Sequence, residues 1–130
     1  HVQSAIHDSS SMNHMSGMAA SRDGLNVYVD NFLNPYVHQL SRDLATGLLT
    51  HTAKVSGYGG LILSRDDRIL TRNQSVFQRD PTIQNAINIS SIGTLTYSAN
   101  HITMDSRYTY SATNAASGNL EIREINRDSS

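Results

Sequence analysis

One phrase recurs along this chain and constrains its fold more than any other feature. Ser21-Arg22-Asp23-Gly24 leads into Val27-Tyr28-Val29-Asp30-Asn31, and Ser64-Arg65-Asp66-Asp67 leads into Ile69-Leu70-Thr71-Arg72-Asn73. A looser copy runs from Met104-Asp105-Ser106-Arg107 into Tyr108 to Asn114. The three asparagines stand 42 and 41 residues apart. A second phrase keeps step with the first, as Gly47-Leu48-Leu49-Thr50 and again as Gly93-Thr94-Leu95-Thr96. Each copy therefore encodes one unit of supersecondary structure that must cover its apolar face against its neighbours.

The units read as strands. Asp accepts backbone N–H bonds and Gly tolerates positive φ, so Ser21 to Gly24 is a turn between two strands. Gly17 to Ala20 is a short, small-residue inner strand, and Asn26 to Val29 is β-branched and aromatic. Pro35 closes a loop at Asn31 to Pro35, Tyr36 to Leu40 is the third strand, and Leu48 to Val55 is the outer one. The second unit places strands at Leu61 to Leu63, Arg68 to Thr71, Ile83 to Ile89 and Thr94 to Ser98. The third places them at Ile102 to Met104, Tyr108 to Ser111 and Leu120 to Ile125. No segment carries apolar residues at helical spacing over the ~10 positions an average helix needs.

Four short strands per unit of about 40 residues predict an all-β chain, a β-propeller segment of about three four-stranded antiparallel blades. The expected units are residues 16–55, 60–98 and 101–125, the last lacking its outer strand, with residues 1–6 as an outer strand from a preceding blade. Three blades make an incomplete ring, because propellers typically use four to eight. A start at His1 rather than Met fits a piece of a longer chain.

Composition narrows the partners. The net charge is −1 and the pI about 6.6, which argues against nucleic acid. There is no cysteine, and no apolar run long enough for a membrane-spanning helix. Compartment is open on these grounds. Asn73-Gln74-Ser75 and Asn88-Ile89-Ser90 fit the N-glycosylation triplet. The open blade edges predict a protein partner or self-association.

The first unit, from Ser21-Arg22-Asp23-Gly24 through Val27 to Asn31 and Val37-His38-Gln39-Leu40 to Asp43-Leu44-Ala45-Thr46-Gly47-Leu48-Leu49-Thr50, resembles the repeat of the lactonase-type, YVTN-repeat seven-bladed propellers. Arg22 and Arg65 stand where that family commonly has Pro. The resemblance implies the propeller fold and two functional readings. One is a rigid scaffold for binding or assembly. The other is an enzyme of the lactonase or muconate-lactone cycloisomerase type, acting at the central mouth and needing no cofactor.

Function on a rigid scaffold usually lives in loops. In propellers the second-to-third-strand loops and the links between blades gather at one mouth. The polar set expected there is His7, Asp8, His14, Tyr58, Gln78, Arg79, Asp80 and His101. His101, His14 and Arg79 are the catalytic candidates, since a histidine moves protons near neutral pH and a guanidinium holds a carboxylate or phosphate. Tyr58, Gln78 and Asp80 are the ligand-binding candidates. His7, Asp8 and His14 carry donors suited to a borderline metal, though their spacing matches no metal motif, and no metal is expected. No serine-nucleophile elbow and no phosphate-cradling glycine loop is present.

Overall fold

A computed structural model describes residues 15–31, 35–56, 60–72, 74–94, 101–102, 108–114 and 120–126, with side chains described within 17–94. The described residues form three antiparallel sheets and no helix. The first sheet is a meander of β1 (Met15–Ala20), β2 (Asn26–Asn31), β3 (Tyr36–Arg42) and β4 (Leu49–Ser56). The second repeats it with β5 (Leu61–Leu63), β6 (Ile69–Arg72), β7 (Ser75–Arg79) and β8 (Ile89–Thr94). The third contains β9 (His101–Ile102), β10 (Tyr108–Asn114) and β11 (Leu120–Asn126) in the same sequential order. The first strands of successive sheets are neighbours, β1 against β5 and β5 against β9. The chain is thus an all-β segment of propeller-like blades.

The two Ser-Arg-Asp turns have the same wiring. Ser21 Oγ donates to Asp23 Oδ1 at 2.6 Å, the same carboxylate oxygen accepts from Leu25 N, and Asn26 N donates back to Ser21 Oγ. Ser64, Asp66, Arg68 and Ile69 repeat each bond. The fourth turn position has positive φ in both, 77° at Gly24 and 60° at Asp67. Asp67 accepts the strain of that conformation, and its carboxylate bonds the neighbouring turn: Oδ2 accepts from Arg22 N at 2.7 Å and Asp23 N at 3.1 Å.

The core lies between the first two sheets. Tyr28 and Val37 pack on Leu70, Phe77 and Ile89, all buried, with Ala19, Val55, Leu61 and Leu63 at the margin. The period of two along a strand explains the partition. Leu70 and Phe77 face the first sheet, while Ile69 and Val76 join Ile62 on the other face.

One strand differs from its expected place. The sequence reading puts the third strand of the second unit at Ile83 to Ile89, but that strand is β7 at Ser75–Arg79, and β8, at Ile89–Thr94, takes the outer position expected at Thr94 to Ser98. Arg72 pairs directly with Ser75, so no long loop separates β6 from β7. Residues 80–88 form the connection instead. Asp80 starts it as a turn-former, with Oδ1 accepting from Thr82 N and Oγ1, and Asp80 N closes it on Asn88 O. The apolar alternation that imitated a strand is solvent-facing: Ile83 and Ile87 are each 38% exposed.

Candidate functional site

The densest polar cluster among the described residues lies between the first two sheets, at the end that carries the Ser-Arg-Asp turns. Its centre is Arg79, at the end of β7 and 3% exposed. Its Nε donates to Tyr28 Oη at 3.0 Å, and its Nη2 donates to Asp23 Oδ2 and Asn26 Oδ1, each at 2.8 Å. Tyr28 Oη donates in turn to Asn88 Oδ1 at 2.7 Å, and Asn88 Nδ2 donates to Asn26 Oδ1 at 2.9 Å. Gln39 completes the set, accepting from Asn88 N and donating to Ala86 O, both at 2.9 Å. Buried polar groups are tolerated when partnered in this way.

The cluster sets the ionisation of its members. Burial pushes the Tyr28 phenol up to about 12, against the smaller opposing pull of Arg79. At Asp23, burial pulls upward, but the hydrogen bonds from Ser21, Leu25 and Arg79 prevail and hold the carboxyl below its ordinary range. Burial likewise favours a neutral Arg79, but its bond to Asp23 and its contact with Tyr28 outweigh that and raise it above its ordinary value. The site therefore holds a fixed guanidinium–carboxylate pair and a neutral phenol at physiological pH. No proton-transfer group is poised there.

At the opposite end of the sheets, where the second-to-third-strand turns lie, Arg72 reaches from β6 to the first sheet. Its Nη2 donates to Asn31 O at 3.2 Å and its Nε stands 3.9 Å from Asp30 Oδ2. Arg72, Asp30 and Asn31 are all buried. Gly17, opposite Asp30 in register, makes room for that carboxylate; a Cβ there would lie 3.2 Å from Oδ1.

The candidates from the sequence fall into two groups. Gln78, Arg79 and Asp80 are described, and the shift of the third strand moves all three off the expected mouth loop. Arg79 is directed into the inter-sheet cluster, Gln78 is exposed on β7, and Asp80 caps the turn that follows. They do not converge. His101 lies on β9, opposite Tyr110 in register. His7, Asp8, His14 and Tyr58 lie outside the described residues. Among the described residues no three His, Asp or Glu side chains gather to hold a metal.

The cluster partners Tyr28, Asn26, Asn88 and Gln39 escaped sequence reasoning, because strand residues of two repeats met by packing that no local motif encodes. The one available signal was the placement of Asn26 and Gln39 beside the β-branched and aromatic residues of β2 and β3. Asn88, which fits a glycosylation triplet, is 3% exposed with its amide nitrogen bonded to Asn26, so the folded protein offers no acceptor there. Asn73 lies outside the described residues. No helix among the described residues is long and apolar enough to cross a membrane.

No family model matches the chain, and no curated protein matches it. A search of solved structures finds the crystal structure of a provisionally assigned 6-phosphogluconolactonase from Bacteroides uniformis. The likeness has a TM-score of 0.62 at 16% identity and covers 87% of this chain and 37% of that one. At that identity the likeness is one of fold: the chain has a lactonase-like all-β fold. It spans little more than a third of the length of the protein it matches.

Proposed function

We infer that the chain serves as a rigid propeller segment, a scaffold for binding or assembly through its blade edges and loops. The observation that carries this reading is the Arg79 cluster. Charged and polar groups from β2, β3, β7 and two turns bond one another across the first pair of sheets, which locks two blades together and presents nothing reactive. Such a network supplies rigidity and a defined orientation between repeats. The partner proposed is protein, another copy or another polypeptide, and no cofactor is part of the reading.

The second reading is lactone hydrolysis, favoured by the likeness to a protein assigned as a lactonase. In it His101, from the first strand of the third sheet, is the first proton-moving candidate and His14 the second. One pair of measurements separates the readings. Hydrolysis of 6-phosphogluconolactone and of simple lactones by the parent chain, abolished by His101→Ala in a folded protein, establishes the enzyme. Absence of turnover, with light scattering showing a stable assembly, establishes the scaffold.

A further inference from the structure

A sheet is most open to other chains at its outer strand, where alternate N–H and C=O groups point away from the ladder. Among the described residues the three sheets have outer strands β4, β8 and β11, and these are guarded unequally. β4 carries Lys54, which is exposed. β11 contains Glu121, Arg123 and Glu124. β8 reads Ile-Ser-Ser-Ile-Gly-Thr, with neither a charge nor a proline. Its neutrality extends beyond the strand: residues 81–104 include no Asp, Glu, Lys or Arg, in a chain of which 16% is charged. Charge and proline are the usual means by which a sheet keeps its edge from pairing with another, and β8 lacks both.

The strand is also accessible. Ser90 to Thr94 are all exposed, and only Ile89 is buried, in the core between the first two sheets. A bulge at Val76/Phe77 makes Ile92 the extra residue between Ser91 and Gly93, and Ile92 is 49% exposed. A bulge alone is a weak guard, and β4 has one too, at Gln39/Leu40, in addition to its lysine. Two identical uncharged edges bring no like charges together. Two copies of β4, by contrast, would bring two Lys54 ammonium groups onto one short ladder.

We propose that β8 is a self-pairing edge: two copies of this chain join antiparallel along it, in an isologous contact that continues the second sheet of one copy into that of the other. The pairing rests on the reading of the chain as an assembly scaffold, and it names the edge used and the partner, a second copy. A two-fold axis at the middle of Ile89–Thr94 falls between Ser91 and Ile92. Both Ile92 residues then stand near that axis, where pairing covers apolar surface that otherwise faces water.

The test uses the full chain over a range of concentrations, with its mass followed by light scattering and the backbone amides of residues 90–94 by hydrogen exchange. The expected result is a mass of about twice 14.3 kDa, with exchange in β8 slowing as the pair forms. Ile92→Lys should weaken association at least about tenfold with an unchanged circular dichroism spectrum. Leu48→Lys, the same kind of change at an exposed position off this edge, should not. A folded Ile92→Lys chain that associates as tightly as the parent overturns the β8 pairing and leaves the scaffold reading standing. A parent chain that stays monomeric overturns both. If the variant does not fold, the parent decides: β8 amides that exchange equally fast at every concentration overturn the pairing.

Discussion

Arg79 shows how a buried cation becomes structural. Its guanidinium meets a carboxylate, an amide oxygen and a phenol oxygen, all within hydrogen-bond reach. Arg79→Ala removes those donors and leaves Asp23, Asn26 and Tyr28 each short of one, at an expected cost of about 2–4 kcal/mol after discounting the partly exposed Asp23. A urea melt measures it, and a loss below 0.5 kcal/mol contradicts the inter-sheet role. Tyr28 gives a pH signature. Its folded-state pKa is raised to about 12 from an ordinary value of 10, so the unfolded chain ionises first as pH rises. The stability tied to the neutral phenol is full below pH ~10 and declines by about 1.4 kcal/mol per pH unit toward 12. Tyr28→Phe should flatten that alkaline decline while costing about 1–3 kcal/mol at neutral pH. Asp23 acts at the other end of the scale. Its pKa is lowered on folding, so its contribution is present above the unfolded carboxylate range near pH ~4 and is lost as pH falls through the folded value.

Turns and strands carry the next set of expectations. Gly24 and Asp67 occupy equivalent left-handed positions. Gly24→Ala should destabilise by about 1 kcal/mol or more, since a Cβ is strained at that φ. Asp67→Gly tests two opposed effects. Glycine relieves the backbone, but the change deletes the carboxylate that accepts from Arg22 N and Asp23 N. We expect net destabilisation, because two inter-sheet hydrogen bonds, about 0.5–1.5 kcal/mol each, outweigh the conformational gain. A more stable Asp67→Gly chain in thermal melts contradicts this ranking. The β7 strand shows the limit of pattern reading at this scale. Ser75 to Arg79 contains only Val76 and Phe77 as apolar residues, whereas residues 83–89 alternate more clearly yet lie mostly in solvent. Pairing with β6 decides the matter, since Phe77 opposes Leu70 and buries with it.

Across the whole molecule, the three sheets run in sequential order, and among the described residues the outer strands β4, β8 and β11 each pair on one side only. Unpaired strand edges invite pairing with another chain. We expect the 130-residue chain to self-associate, with light scattering giving at least about twice its 14.3 kDa mass. A strictly monomeric species that unfolds in one cooperative step contradicts the assembly reading. The lactonase-like fold does not itself select between assembly and catalysis, because one fold carries many functions.

By itself the sequence determined the repeat, the all-β class, the Ser-x-Asp turns and most strand positions. Those features depend on contacts within a few residues: a side chain bonding its own turn, or a period of two. The tertiary structure alone decided which face each residue buries and which distant residues meet. Arg79, expected at a mouth loop, bonds Tyr28 and Asp23, more than 50 positions earlier in the chain. Asn88, a plausible glycan acceptor by its triplet, closes the same network. His38 and His51 come into contact only because a bulge shifts the register by one residue. Spacing along a chain records local chemistry, whereas the neighbours of a buried polar group are set when two sheets close over it and exclude water.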